Sequence, residues 1–347
     1  MTTNTAMAIG WVELGIVPDG VTRAGIRRLL KTRLSDLGSG RAAEDAERTQ
    51  RFVEHMRTAA IAVSSDKANE QHYELPPEFF GAVLGPHRKY SCGYWPDGVT
   101  ELADAEAAAL RMTCERAGLR DGQSVLELGC GWGSLTLWMA KCYPRSQITA
   151  LSNSHSQRRY IEAEAKRRGL GNVRVVTCDI NDFDTGDRFD RIVSVEMFEH
   201  LRNWPRAFSN VARWLRPEGQ FFMHVFVHRT VPYAFVDADA SDWMSRYFFS
   251  GGMMPSDDLA LHCQDDLRVL RRWRWDGTHY QRTAEAWLRR MDASRRALEP
   301  LFAAVYGADA RVWWARWRVF FMSVAELFGY AGGQQWWVGH YLIGKRA

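Results

Sequence analysis

The 347-residue sequence is short of several things, and each shortage excludes a class of protein. Its six cysteines (Cys92, Cys114, Cys130, Cys142, Cys178 and Cys263) are scattered, with no C-x-x-C pair and no His/Cys cluster at zinc spacing. A disulfide framework and a zinc site are therefore poor explanations, and a reduced, cytoplasmic protein is expected. No run of about 18 apolar residues occurs, and the longest uncharged stretch, 327–344, is broken by glycines and glutamines. A transmembrane helix is not expected. The opening MTTNTAMAIGWVELGIVPDG has no basic leader and carries Glu13 in its first apolar stretch, which does not suit a secretory signal. Charge of one sign is not in excess either: 45 Lys and Arg face 41 Asp and Glu, a net charge of +4. So small an excess on so large a surface does not suit a nucleic-acid partner.

At 46% hydrophobic and 25% charged, the chain has the make-up of a folded protein with a sizeable core. Tryptophan is plentiful, with 15 residues, nine of them beyond residue 240. Large aromatics build cores, and they also build walls for flat or cationic ligands.

Residues 1–75 read as a helical segment, because 22–37 and 42–62 space apolar residues three and four apart among many charges. Residues 74–98, rich in Pro, Gly and aromatics, read as an ordered loop. From about 101 the pattern alternates. Helices are expected at 101–117, 133–143, 156–168 and 205–215, and strands at 124–128, 147–151, 173–177, 191–195 and 220–227. Such alternation predicts an α/β fold, a doubly wound, Rossmann-like sheet over 76–230. Past 230 the alternation stops, and helical stretches at 280–305 and 309–328 with a final strand at 336–344 predict a helical cap over 231–347 whose last strand returns to the sheet.

The sharpest local signal is Val125-Leu-Glu-Leu-Gly-Cys-Gly-Trp-Gly-Ser134, an apolar strand running into Gly129, Gly131 and Gly133 and then a helix. Glycines there permit a tight turn and let a ligand lie close on the backbone. The spacing is G-x-G-x-G and no Gly-Lys-Ser/Thr follows, so phosphate binding is the weaker option. Glu127, just before the loop, would disfavour a pyrophosphate but suits the ammonium of an amino-acid moiety.

VLELGCGWGS resembles the glycine motif of class I S-adenosylmethionine-dependent methyltransferases. With YSCGYW (90–95) and IVSVEMFEH (192–200), the chain from about residue 70 onward resembles more narrowly the cyclopropane fatty-acid synthase family and its coclaurine-type N-methyltransferase relatives. The resemblance implies S-adenosylmethionine as cofactor. It implies that Tyr90 and Ser91 close over the methionine end, with Glu127, Gly129 and Gly131 on its other side. Ser152, Asn153 and Gln157 would bond the ribose hydroxyls, and Asp179 with Ile180 would meet the adenine. Read without the resemblance, Asn153 serves equally well as a helix N-cap, since Ser152 and Ser154 flank it.

Transfer from a sulfonium is an in-line displacement on an activated reagent, so the acceptor's chemistry should show in the charged residues after the fourth strand, Glu196-Met-Phe-Glu199-His200. An amine must lose a proton before it attacks; an imidazole can take it, and a glutamate can hold the cation or orient the imidazole. The plain alternative is that Glu199 and His200 cap and solvate a helix start. Cyclopropane synthases typically have glycine where this chain has Glu196, and coclaurine-type enzymes have glutamate, so the resemblance implies Glu196, Glu199 and His200 as catalytic. The synthases also bind bicarbonate through a Cys, a Glu, a His and a Tyr. Cys92, Glu199 and His224 keep three of these, while the tyrosine position reads as hydroxyl-free, near Phe320. Segments 264–273, 279–293 and 326–330 look closer to the amine enzymes.

An acceptor pocket of Tyr73, Glu74, Trp317, Phe320 and Tyr330, with Cys92 and His224, is then implied, and an aromatic wall with a carboxylate suits an alkylammonium. N-methylation of a small aromatic or benzylisoquinoline-like amine is the favoured expectation. Cyclopropanation or C-methylation of an unsaturated lipid is the alternative, with Arg271, Arg272, Arg274, Arg289 and Arg290 as a membrane-docking patch, although a solvated helix face is the commoner origin of such a run. A cofactor-binding regulator without chemistry is a third, opposed by the intact Glu and His residues. The expected partner is a small-molecule amine, with no metal or nucleic acid, a membrane surface only in the lipid case, and a homodimer left open.

Overall fold

The computed structural model describes residues 3–38, 41–63, 75–238 and 242–346. Its centre is a seven-stranded sheet in the order β3-β2-β1-β4-β5-β9-β8. The strands are β1 (Ser124–Leu128), β2 (Gln147–Ser152), β3 (Val173–Thr177), β4 (Phe189–Val195), β5 (Leu215–His228), β8 (Leu267–Trp275) and β9 (Trp336–Lys345), while β6 (Tyr233–Ala234) and β7 (Met253–Met254) form a separate ribbon. The first five pair in parallel, and β9 runs antiparallel between β5 and β8. Four of the five residues of β1 are buried, as a parallel strand covered on both faces requires.

Helices α5 (Leu102–Arg116), α6 (Ser134–Cys142), α7 (His155–Arg167) and α8 (Trp204–Trp214) connect and flank these strands, so the doubly wound reading holds. Ahead of them come α1 (Thr3–Glu13), α2 (Asp19–Leu37), α3 (Ala42–Thr58) and α4 (Pro77–Val83); behind them come α9 (Trp243–Tyr247), α10 (Thr278–Ala293), α11 (Arg295–Tyr306) and α12 (Ala310–Gly329). The chain crosses from β3 back to the far side of β1, which makes β4 the neighbour of β1. Ligands of open α/β sheets bind beyond the carboxyl ends of strands at such a reversal. The glycine loop after β1 and the acidic turn after β4 are thereby brought side by side.

Two expectations need correction. Strand β8 occupies 267–275, inside the stretch expected as a helical cap; a register shift between Val269 and Arg271 breaks the two-residue alternation that would have betrayed it. Arg271, Arg272 and Arg274 therefore lie on an edge strand rather than on a helix face. Arg272 and Arg274 pair with Asp257 at 3.5 and 2.6 Å, and Arg290 on α10 bonds the carbonyl of Val83 at 3.1 Å. Second, the helical stretch expected at 280–305 is two helices, α10 and α11, meeting at Ser294.

The N-terminal helices dock on α10 and α12 through ion pairs: Arg23 with Glu285 of α10 and Glu326 of α12, Arg318 of α12 with Asp19, and Arg316 of α12 with Glu13. After α3, Ala62 bridges to Leu201, the Ile61 carbonyl accepts from Arg202 N–H at 2.7 Å, and Ala62 exchanges two hydrogen bonds with the Asn181 side chain. The first segment thus reaches the rim of the β3 and β4 ends. Ten of the fifteen tryptophans are buried, and Trp132, Trp204, Trp214, Trp287, Trp317 and Trp336 fully so.

Gly133 precedes α6 at φ +76°, and a Cβ there would stand 2.6 Å from Ile161 Cγ1 on α7. Gly133→Ala should lower unfolding free energy by about 1–3 kcal/mol, read from the urea midpoint, through overpacking and a left-handed backbone.

Candidate active site

The loop after β1 is tied down by its neighbour strand, because the N–H groups of Gly129 and Cys130 both donate to the Leu151 carbonyl, at 3.1 and 2.9 Å. Gly129 sits at φ +75°, and a Cβ on it would lie 2.7 Å from Met197 Cγ, so the two strand ends touch here. Gly131, at φ +51°, has nothing within 4 Å of where a Cβ would be. A side chain is therefore forbidden at Gly129 by contact, whereas Gly131 opens onto free space. At the end of β2, Ser152 donates to Gln157 Oε1 at 2.6 Å, and the buried Gln157 Nε2 has no hydrogen-bond partner among the described residues. The α7 N-cap is Ser154, whose hydroxyl accepts from Gln157 N–H, so capping is not the role of Asn153. Glu127 is buried against the Thr136 hydroxyl, and burial pushes its carboxyl up to about 8. Asp179 accepts from the Asn181 N–H at 2.7 Å, and Ile180 lines a narrow apolar cleft with Ile61, Leu128 and Met197.

Glu196 directly follows β4 at φ +48°, a backbone region that costs a non-glycine residue about 1–3 kcal/mol. Its side chain is anchored in return. Oε1 accepts from the Cys92 N–H at 2.9 Å and faces His224 Nε2 at 3.1 Å, and Oε2 accepts from the Tyr280 hydroxyl at 2.6 Å. Burial raises its pKa, opposed first by the cation of Lys89. Lys89 is itself buried, donating to the Ser91 hydroxyl and to the Cys92 carbonyl at 2.8 Å.

Glu199 lies three residues on, in a single 3-10 turn, Phe198–His200, and is 1% exposed. Neither of its carboxylate oxygens has a hydrogen-bond partner among the described residues. Burial, then the negative Glu196, hold its pKa well above the carboxylate range. An uncompensated buried carboxyl is expensive unless a cation or donor completes it. His200 stacks on Phe249 with ring centroids 5.0 Å apart, and burial lowers its pKa to about 4, so it is a neutral imidazole at pH 7.

The expected residues are redistributed in several ways. The imidazole bonded to Glu196 is that of His224 rather than His200. Cys92 contributes its main-chain N–H; its thiol donates to the Gly93 carbonyl and is pushed up by burial. The hydroxyl expected to be missing near Phe320 is supplied from α10 by Tyr280, while Phe320 stacks on Phe248 at 4.4 Å. Trp317, 1% exposed, packs on Phe79 and Phe320 and donates to the Tyr306 hydroxyl at 3.3 Å; it is a core residue rather than a free pocket wall. Tyr330 is partly exposed, edge-on to Trp336, and Tyr90 packs on Phe80 and Trp287. Tyr73 and Glu74 lie outside the described residues. Lys89, Tyr280 and Thr283, which accepts from Gly93 N–H and Trp95 Nε1, were not singled out from sequence. Tyr280 and Thr283, three apart in HYQRT, share a helix face, and that spacing was the available signal.

Comparison with known proteins places this geometry in context. The sequence model of the family described as mycolic acid cyclopropane synthetase matches residues 62–329. The chain is 37% identical over 340 residues to an (S)-coclaurine N-methyltransferase of Thalictrum flavum subsp. glaucum, covering 96% of this chain and 94% of the relative. That match includes the N-terminal helices, beyond the residue-70 limit read from sequence. A cyclopropane-fatty-acyl-phospholipid synthase of Escherichia coli is 35% identical over 228 residues, 65% of this chain and 56% of the relative. Among solved structures, coclaurine N-methyltransferase bound to N-methylheliamine and SAH superposes with TM-score 0.95 at 36% identity, covering 98% of this chain and 99% of that one.

The donors around Glu196 form a socket for a small planar anion. Glu196→Gly relieves the backbone and empties the socket; turnover should drop at least about 100-fold, and formate at tens of millimolar should restore part of it, as measured by product release.

Proposed function

The chain belongs to the mycolic acid cyclopropane synthetase family and is an S-adenosylmethionine-dependent methyltransferase, and from that premise we propose that it N-methylates a small aromatic amine of the benzylisoquinoline kind. The residues present fit the cofactor. Gly131 opens onto free space, and the unpartnered Gln157 Nε2 beside the β2 end suits a ribose or adenine acceptor. Bound S-adenosylmethionine supplies a methyl group already activated by positive sulfur, so the protein's task is alignment, dryness and control of the acceptor's proton.

The observation that carries the reading is the buried Glu199, whose carboxylate oxygens have no hydrogen-bond partner among the described residues. A protonated amine brings the positive charge and the N–H donors that this carboxyl lacks. Glu196 beside it raises the local negative potential and is itself fully occupied, so Glu199 is the group that meets the cation. His200, neutral at pH 7, takes the proton from nitrogen and frees the lone pair for attack, and Glu199 then balances the imidazolium. Similarity to two coclaurine-type proteins over nearly the whole chain supports an amine acceptor.

Lipid cyclopropanation is the competing reading, because Cys92, Glu199, His224 and a tyrosine hydroxyl are all present. Three of the groups that would hold a bicarbonate already converge on the Glu196 carboxylate, and a second anion there would face that charge. Incubating the protein with S-adenosylmethionine and either a panel of tetrahydroisoquinolines and phenylalkylamines or vesicles of unsaturated phospholipid separates the two. The expected outcome is S-adenosylhomocysteine with a mass gain of one methyl on an amine, unaffected by bicarbonate. Bicarbonate-dependent modification of the vesicles alone would overturn the proposal. Glu199→Gln and His200→Ala should each lower kcat/KM at least about 100-fold while leaving S-adenosylmethionine affinity within about twofold, as read by calorimetry.

A further inference from the structure

Behind Glu196 a file of hydrogen-bonding groups runs out of the site and across the sheet. His224 on β5 and His340 on β9 stand directly opposite each other in the antiparallel pair, with His340 Nε2 3.0 Å from His224 Nδ1. Arg116, at the end of α5, reaches His340 Nδ1 at 2.6 Å. The file is therefore Arg116, His340, His224, Glu196, and both imidazoles are under 2% exposed. Trp275 packs edge-on to both rings, at 4.3 Å from His340 and 5.4 Å from His224, and the Arg116 guanidinium lies 5.2 and 5.7 Å over Trp273 and Trp275.

The direction of the file follows from one property of its outer end. A guanidinium donates and cannot accept. His340 Nδ1 must then be a lone pair, so its proton sits on Nε2 and points at His224 Nδ1. That nitrogen must accept in turn, which places the His224 proton on Nε2, aimed at Glu196 Oε1. Every bond is polarised towards Glu196, and a fixed positive charge terminates the row. We propose that Arg116 and His340 are positioning residues: they lock His224 in its Nε2–H tautomer and so keep Glu196 ionised beside Glu199. Arg116, more than one residue removed from the site, acts only through the histidines.

The consequence for the reaction rests on the amine reading above. On top of burial, an ionised Glu196 makes Glu199 more reluctant to lose its own proton until a cation arrives. The other charged or titratable groups facing Glu196 are Lys89 and Cys92 from the loop before α5, Glu199 and His200 from the turn after β4, and Tyr280 from α10. Asp276, after β8, acts on Cys92, while Glu115 on its own helix and Tyr94 face Arg116. Lys89 also disfavours a charged His224 and His340, but only through space, since its hydrogen bonds go to Ser91 and Cys92; the donor-only cation in contact with a ring nitrogen of the file is Arg116.

The test has two readouts. In the free protein, 15N spectra of labelled histidine, with His340→Gln to assign the second signal, should show His224 and His340 as neutral Nε2–H tautomers from about pH 6 to 9. An Nδ1–H tautomer or an imidazolium at either position would overturn the proposal, whatever the substrate proves to be. In kinetics, Arg116→Leu should move the acid limb of kcat/KM upward by about one pH unit, and Arg116→Lys should return it towards the parent value. A uniform loss of rate with an unmoved limb in both variants would mark Arg116 as merely structural. Should Arg116→Leu fail to fold, the tautomers of the parent protein still decide the matter.

Discussion

Two carboxylates lie within one short turn at the dry end of β4, and hydrogen-bond donors reach only one of them. Glu196 has a main-chain N–H, an imidazole and a phenol, with a buried lysine nearby. Glu199 has none among the described residues. Since like charges so close cannot both ionise cheaply, satisfying the first makes the second demand a partner. The donor-poor acid becomes the place where a cationic acceptor is recognised, and the satisfied acid becomes part of the frame.

That frame is assembled from distant parts of the chain. The Cys92 N–H comes from the loop ahead of α5, Tyr280 from α10, His224 from β5, and His340 from the last strand. The left-handed backbone at Glu196 is a cost that these bonds offset. The large aromatic complement serves this rigidity more than it serves a pocket: Phe79, Phe248, Trp317 and Phe320 pack edge and face into a core against which α10 and α12 are set. Arginines lie over several rings, for example Arg282 over the buried Trp95 at 4.6 Å and Arg316 over the half-buried Tyr247 at 3.9 Å.

The parallel half of the sheet was legible because buried parallel strands are continuous apolar runs and glycine loops have a distinctive spacing. Strands β1 and β3 fall on the residues expected, and the final strand does so within one residue. Strand β8 was not legible, since its bulge destroys the alternation and its arginines read as surface. At the site, Glu196, Glu199 and His200 were visible as a charged cluster at a strand end. What sequence could not show is which imidazole Glu196 would contact. His224, His340 and Arg116 are brought together only by the antiparallel register of β5 and β9 and by the end of α5, and no local pattern encodes that meeting. Tyr280 was hidden for the same reason, being 84 residues from its partner.

The measurement that bears most directly on the donor-poor carboxyl is a proton inventory of amine binding. Calorimetric titration of a tetrahydroisoquinoline into the protein saturated with S-adenosylhomocysteine, repeated in buffers of different ionisation enthalpy near pH 7, counts protons exchanged. If Glu199 holds its proton until a cation completes it, about one proton is released per amine bound. Heats that do not depend on the buffer would mean that the carboxyl was already ionised or takes no part, and would contradict the account.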